Sequence, residues 1–157
     1  MRREIGQTAV EYLTVFSAAL VFIAVATTAQ MIDPGKEHAQ NSLYLSQARA
    51  AADSIAEAID TVYANGPGAV KSIGIQMDTG WKLYLDNLEN SVKVEVTLSD
   101  SSENLESSLY YPLDNYHSAV VFSGFCTVIV EWSTASGASE GLQVDQENDR
   151  VLITLVR

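Results

Sequence analysis

The chain opens with a long apolar stretch whose pattern favours a helix. No charged residue occurs between Glu11 and Asp33, so residues 12–32 form an uncharged, mostly apolar run of 21 residues. At ~1.5 Å per residue, a helix of that length spans ~31 Å, about the thickness of the hydrocarbon core of a bilayer. The pattern therefore predicts a membrane-spanning hydrophobic helix at residues 7–32.

A second, amphipathic helical pattern follows at residues 33–66. Its apolar positions recur every three or four residues, at Leu45, Ala48, Ala52, Ile55, Ile59 and Val62. That spacing places them on one side of a helix. We expect a kink or short break at Asp33-Pro34-Gly35, because proline removes a backbone hydrogen bond. The sequence Asn65-Gly66-Pro67-Gly68 predicts the end of the helix.

Beyond residue 66 the apolar period changes from about 3.6 to 2, the period of a strand. The clearest example is the valine alternation at 92, 94 and 96. Residues 99–108 are rich in Ser and Glu and predict a surface loop, residues 116–132 a long strand bent at Ser123-Gly124, and residues 142–156 a closing hairpin. We expect an α+β fold, in which the amphipathic helix packs on an antiparallel β-sandwich-like or small β-barrel head domain, residues 67–157.

The distribution of charge predicts which side of a membrane the N-terminus occupies and argues against nucleic acid as a partner. Arg2 and Arg3 precede the apolar run, and basic flanks tend to stay on the cytoplasmic side of a membrane. From residue 33 onward the chain has 7 Lys and Arg against 18 Asp and Glu, a net charge of −11. So acidic a surface repels phosphate backbones, and we expect no nucleic-acid partner.

The residue types that usually carry enzyme chemistry are few and scattered. Cys126 is the single cysteine and lies in an apolar run, as is typical of an inert core thiol. His38 and His117 lack the spacing of a zinc site or a catalytic triad. We therefore expect no enzymatic activity, no metal site and no cofactor.

Two further clusters have structural and functional interpretations. Residues 145–149 are acidic but lack the glycine and terminal glutamate of a calcium loop, which favours a solvated hairpin tip. Tyr110, Tyr111 and Tyr116 form an aromatic cluster in the sequence. Core or inter-subunit packing is favoured for them over the alternative, sugar binding.

The residues around the start of the apolar run carry a family resemblance. Residues 3–13 read REIGQTAVEYL. This segment resembles the class III signal peptide of archaeal type IV pilin-like proteins, in which a prepilin peptidase cuts between Gly and Gln. The matching positions are Gly6, Gln7 and Glu11, and Ala9 stands where the family often has Ser or Thr. A second likeness is the helix end at residues 51–68 with its Gly-Pro-Gly exit, so the resemblance covers roughly the first 70 residues.

The resemblance implies a structural role. Residues 1–6 would be a leader, and the mature chain would be a pilin, assembled by its N-terminal hydrophobic helix into a homo-oligomeric surface filament. The residues assigned to assembly are Glu11, Tyr12, Phe16, Ala18, Ala19 and Phe22. The implied partners are identical subunits, the prepilin peptidase, the membrane before assembly, and a pilus assembly platform with its ATPase. The precursor would lie in the cytoplasmic membrane with its N-terminus inside, and the filament at the cell surface.

Physical chemistry gives Glu11 a separate rationale. A carboxylate in an apolar helix costs ~2.5–3.5 kcal/mol on insertion scales. In a filament it can pair with the free α-amino group that cleavage creates on Gln7 of a neighbouring copy, so that the assembled register is favoured. The alternative is an anchor whose Glu11 sits among lipid headgroups.

A second class of function remains open on sequence grounds. Residues 24–26 read Ala-Val-Ala, the A-x-A pattern of a conventional signal-peptide cleavage site. The chain would then be a secreted or single-pass membrane-anchored extracellular β-domain protein. Glu4 and Glu11 argue against it, since they interrupt regions that are usually basic and then wholly apolar in such signals.

Overall fold

The structure, a computed structural model, describes residues 2–77, 80–98, 101–121 and 123–156. Between residues 2 and 65 it describes the side chains of residues 12–28, 36 and 38–65. The chain divides into two compact units, Met1–Gln40 and Asn41–Arg157.

Helix α1 spans Arg2–Asn65. Its end follows from Gly66, whose backbone is left-handed with φ at 88° and whose N–H donates to the carbonyl of Val62 at 3.1 Å. A glycine adopts this conformation without a steric penalty, so the predicted helix end is confirmed. The helix continues through Pro34 without a break, because one missing backbone hydrogen bond does not interrupt a helix of this length.

The expected membrane-spanning helix is not found. In the part of the chain that the structure describes, no helix has both the length and the apolar character needed to cross a bilayer. A span needs about 20 consecutive apolar residues. Within residues 12–28 the apolar run is interrupted by the hydroxyl residues Thr14, Ser17, Thr27 and Thr28. The predicted fold class is therefore wrong in its hydrophobic N-terminal helix.

The second unit contains eight described strands in two four-stranded sheets. They are β1 Val70–Met77, β2 Lys82–Asp86, β3 Ser91–Thr97, β4 Ser102–Ser108, β5 His117–Val120, β6 Gly124–Trp132, β7 Gly141–Asp145 and β8 Arg150–Leu155. One sheet has the order β1-β6-β8-β7 and the other β4-β3-β2-β5. The first and last strands of the chain thus build one sheet, and the middle strands build the other.

The predicted all-antiparallel head domain is also wrong. β7 and β8 form the expected antiparallel hairpin, with Val144 opposite Val151. However, β8 lies between β7 and β6, and it pairs with β6 in parallel, with Val128 opposite Val151. The reason is the connection 133–140, which carries the chain beyond β6 so that the hairpin returns with β8 inside and β7 at the edge.

The two sheets and the second half of α1 contribute to a single hydrophobic core. The predicted stripe is confirmed from Ala48 onward, since Ala48, Ala52, Ile55, Ile59 and Val62 are at most 1% exposed, whereas its first member, Leu45, is only half-buried. Both sheets supply inward-facing side chains, for example Val92, Val94 and Val96 from β3 and Val128 and Val130 from β6. Burial of a side chain such as Ile55 stabilises the fold by roughly 1.5–3 kcal/mol.

The segment predicted as a surface loop, residues 99–108, is instead largely a strand. β4 pairs with β3 over seven residues, from Ser91 opposite Ser108 to Thr97 opposite Ser102. Its side chains are mostly exposed and show no apolar alternation, so its conformation depends on pairing with β3. The predicted bend at Ser123-Gly124 is confirmed, because β5 and β6 belong to different sheets and the φ of Gly124 is 121°.

Candidate functional site

The predicted processing site and its glutamate lie near the start of α1. Gly6, Gln7 and Glu11 belong to this helix by their backbone. Their side chains fall outside the described part of the chain. Cleavage after Gly6 and an assembly role for Glu11 therefore remain predictions from the sequence.

The first candidate site is the apolar surface of α1 in the first unit. Large apolar side chains there are 51–75% exposed, namely Tyr12, Leu13, Val15, Phe16, Leu20, Val21, Phe22, Ile23 and Val25. One side of the helix carries a shallow groove lined by Thr14, Ser17, Ala18, Val21, Phe22 and Val25. Small residues beside large ones give a helix surface on which another helix packs closely.

The predicted assembly residues occupy two sides of this helix. Ala18 and Phe22 line the groove. Tyr12, Phe16 and Ala19 are spaced by four and three residues, the spacing of a single helix side. At about 100° per residue, that side is centred roughly 130° around the helix axis from Ala18. The helix is therefore apolar on all sides, as is typical of a helix that has neighbours all round it.

Two hydroxyl groups near the end of this segment are hydrogen-bonded within the helix. Thr27 Oγ1 donates to the carbonyl of Ile23, and Thr28 Oγ1 donates to the carbonyl of Ala24. A threonine hydroxyl bonded to the preceding turn presents mainly its methyl group outward. Both hydroxyl groups are therefore satisfied within the helix.

The second candidate site lies on the outward face of the sheet β4-β3-β2-β5. A groove of about 280 Å³ is lined there by Tyr84, Asp86, Lys93, Glu95, Asn104 and Tyr116, which we call the sheet-face groove. Strand alternation places Tyr84 and Asp86 of β2 and Lys93 and Glu95 of β3 on this face, while Leu83, Leu85 and Val94 face the core. Tyr116 joins them from the segment before β5, with its ring 6.0 Å from that of Tyr84.

Hydrogen bonds and ion pairs hold the charged groups of the groove. Glu95 accepts from the Tyr84 hydroxyl at 2.5 Å and from Lys82 Nζ at 3.3 Å. The bond to Glu95 raises the pKa of Tyr84 to about 12 and holds the pKa of Glu95 below its usual value. Lys93 Nζ donates to Asp86 at 2.8 Å. This bond raises the pKa of Lys93 and lowers that of Asp86, so the charges of Lys93, Asp86 and Glu95 persist over the physiological pH range.

A third cluster surrounds the buried carboxylate of Glu140, whose side chain is only 1% exposed. Its oxygens accept the backbone N–H groups of Asp114 and Asn115, at 3.2 and 3.1 Å, and the hydroxyl of Tyr111 at 3.1 Å. His117 Nε2 lies 3.7 Å away and has no hydrogen-bond partner among the described residues. Glu140 thus holds segment 109–116 in place, which is a structural task.

The three tyrosines that are clustered in the sequence have different surroundings. Tyr111 is buried, and its ring packs edge-on against Tyr63 at 5.3 Å and Trp132 at 6.4 Å. Burial and the charge of Glu140 raise the pKa of Tyr111. Core packing is thereby confirmed for Tyr111, whereas Tyr110 is 88% exposed and Tyr116 is 53% exposed.

Other sequence predictions concern isolated residues. Cys126 is fully buried, and burial raises the pKa of its thiol, as expected of an inert core cysteine. The turn at residues 145–149 is solvent-exposed, and Asp145 accepts the backbone N–H groups of Glu147 and Asn148. The prediction of a solvated hairpin tip is confirmed.

Replacing Glu140 by Leu is expected to destabilise the second unit by about 3 kcal/mol, because the backbone N–H groups of Asp114 and Asn115 would lose their acceptor and each costs about 1–3 kcal/mol when unsatisfied. The Tyr111 hydroxyl keeps a second acceptor, the carbonyl of Val156 at 2.8 Å. Urea unfolding followed by fluorescence measures the change. Glu147→Leu, an exposed glutamate in the neighbouring β7–β8 turn, is the control and should alter stability by less than about 0.5 kcal/mol. Equal unfolding midpoints for the two variants would contradict the structural role of Glu140.

Sequence reasoning missed both the sheet-face groove and Glu140. The alternation in β2 and β3 carries a usable signal for the groove, because it places Tyr84, Lys93 and Glu95 on one face. Tyr116 lies in the segment before β5, outside any strand, so no alternation pattern places it on this face. Glu140 follows a run of Ser, Gly and Ala, and its partners include backbone groups, so its surroundings give no local pattern.

Within the described residues no group of three or more His, Cys, Asp and Glu side chains is arranged to hold a metal ion. Comparisons with protein-family models, with curated proteins and with solved structures found no match to this chain. The resemblance to archaeal pilin-like proteins therefore rests on residues 3–13 and 51–68.

Proposed function

We propose that the chain is a structural subunit of an archaeal type IV pilus-like surface filament, in which the first part of α1 packs against identical helices. The observation that carries the proposal is the apolar surface of residues 12–25, exposed on all sides of the helix in the single chain. Burying one such side chain contributes roughly 1.5–3 kcal/mol. A dimer would cover one side of this helix, whereas a helical array gives it neighbours on several sides.

The second unit supports this role by being independently compact. Its core includes residues from both sheets and from the second half of α1. The chain from residue 33 onward carries a net charge of −11, and a surface of this charge favours a head domain in contact with water. In the proposed filament the apolar helices form the interior and the acidic heads form the outer surface.

The proposal also includes cleavage of the leader and the alignment of neighbouring helices in the filament. A prepilin peptidase removes residues 1–6, so that Gln7 becomes the first residue of the mature chain. Its new α-amino group lies four residues before Glu11, and the two groups pair between neighbouring copies. Because an unpaired carboxylate is costly in an apolar interior, the paired register is favoured over others.

The N-terminus of the protein isolated from cell-surface filaments tests the processing step. Mass spectrometry should find Gln7 as the first residue, and Gly6→Val should leave uncut precursor, because the peptidase tolerates little bulk before the cleaved bond. Ala26→Leu is the matched control, since it blocks cleavage only at the A-x-A pattern of a conventional signal. A mature chain that starts at Thr27, with Gly6→Val processed normally, would favour the secreted-protein alternative.

A further inference from the structure

The sheet-face groove has features of a ligand site that the filament proposal does not use. Its charged side chains are held in place, since Glu95 is bonded by Tyr84 and Lys82, and Asp86 by Lys93. A site whose side chains are already ordered loses less conformational entropy on binding. A purely structural network of ion pairs would require neither the aromatic rings of Tyr84 and Tyr116 nor a concave surface.

Two groups in the groove remain available for a ligand. Among the described residues, neither the Tyr116 hydroxyl nor the Asn104 side-chain amide has a hydrogen-bond partner. The Tyr116 ring is 53% exposed. The ring of Tyr84, tilted by 34°, lies beside it. Tyr116 therefore presents an aromatic surface next to unused donor and acceptor groups.

The charge of the groove indicates the class of ligand. Asp86 and Glu95 are paired with Lys93 and Lys82, while Glu89 also bonds to Lys93 and Glu106 lies opposite it, so the groove has no excess of positive charge. An anion therefore gains no net Coulombic attraction there. A cation would have to compete with Lys93 and Lys82, which already bond to Asp86 and Glu95. Carboxylate acceptors beside ammonium donors instead match neighbouring hydroxyl groups, which both donate and accept.

From these features we infer that the sheet-face groove binds a neutral pyranose sugar, with the apolar face of the ring on Tyr116 and its hydroxyl groups on Asp86, Lys93, Glu95 and Asn104. The volume of about 280 Å³ lies at the lower end of small-molecule pockets and suits a single sugar ring. A ligand of this size in an open groove gives a dissociation constant on the order of 1 mM.

Saturation-transfer difference NMR on the full-length chain tests the inference, with the methyl pyranosides of glucose, galactose and mannose as probes. At least one should show transfer that saturates in the millimolar range. Tyr116→Ala should weaken its binding about fivefold to tenfold, because aromatic contacts of this kind contribute about that factor. Tyr84→Phe should weaken it less, since the ring remains and only the bond that orders Glu95 is lost.

Tyr110→Ala is the matched control, because Tyr110 is more exposed than Tyr116 and does not line the groove. It should bind the probe like the unmodified chain. The inference would be overturned by absence of transfer for all three probes, by equal binding in the Tyr116→Ala and Tyr110→Ala variants, or by tighter binding of methyl glucuronide or glucosamine than of the neutral sugars. None of these results bears on filament formation, so the two proposals stand or fall separately.

Discussion

Cells that produce the Phe22→Asp variant are expected to make no filaments. Phe22 is 74% exposed on the groove side of α1, and in the proposed filament it is buried against a neighbouring helix. The variant loses roughly 2 kcal/mol of apolar burial and gains a carboxylate in an apolar surrounding, at ~2.5–3.5 kcal/mol. A total of about 5 kcal/mol for each subunit raises the concentration needed for assembly by about 10³–10⁴-fold.

Negative-stain microscopy of cells measures the filaments, and tryptophan fluorescence measures folding of the second unit, since Trp81 and Trp132 both lie there. Leu88→Asp is the matched control, because Leu88 is an apolar residue 91% exposed in the β2–β3 turn. Leu88→Asp cells should make normal filaments.

Glu11→Gln should resemble Phe22→Asp in microscopy, because it removes the charge that selects the register. Normal filaments from Phe22→Asp cells would refute helix-mediated assembly.

The Ile55→Asp variant is expected to leave the second unit unfolded. Ile55 is fully buried between the sheets' inward residues and the rest of the helical stripe. The change removes about 3 kcal/mol of apolar burial and places a charge in the core without a partner, at several kcal/mol more. The sum is comparable to the 5–15 kcal/mol stability of a typical domain.

The emission of Trp81 and Trp132, at most 5% exposed in the native fold, should shift to the wavelength of tryptophan in water. Ser54→Asp adds the same carboxylate at the adjacent, exposed position and should leave the emission unchanged. Ile55→Val should keep the fold and lower its stability by about 1 kcal/mol. Native emission from Ile55→Asp would show that the stripe does not belong to the core.

The parts of the fold that were predicted correctly are those where burial leaves a local period. The stripe from Ala48 to Val62 and the valines of β3 each alternate with exposed residues at the spacing of their element. By contrast, β4 reads SENLESS and has no such period, because it is an edge strand that buries little. Its pairing with β3 is a tertiary effect that local sequence does not record.

Long-range arrangement accounts for the remaining errors. The parallel pairing of β8 with β6 depends on which side of the hairpin faces the existing sheet, and both orientations satisfy the same alternation. The two candidate sites also differ in how far the local sequence predicts them. The apolar surface at residues 12–25 is evident from the hydrophobicity of the sequence alone. The sheet-face groove, in contrast, forms only because the fold brings Tyr116, in the segment before β5, next to Tyr84 on β2.

Strand β4, which the sequence did not predict, also affects whether two head domains can pair edge to edge. It is the outer strand of its sheet, and an outer strand offers free backbone groups with which another chain can form a continuous sheet. Glu103 lies opposite Val96 and Glu106 opposite Lys93, so β4 carries a negative charge on each of its two faces. Two such edges repel each other on approach. In the proposed filament, where many copies would stand side by side, this charge would oppose edge-to-edge strand pairing between neighbouring heads.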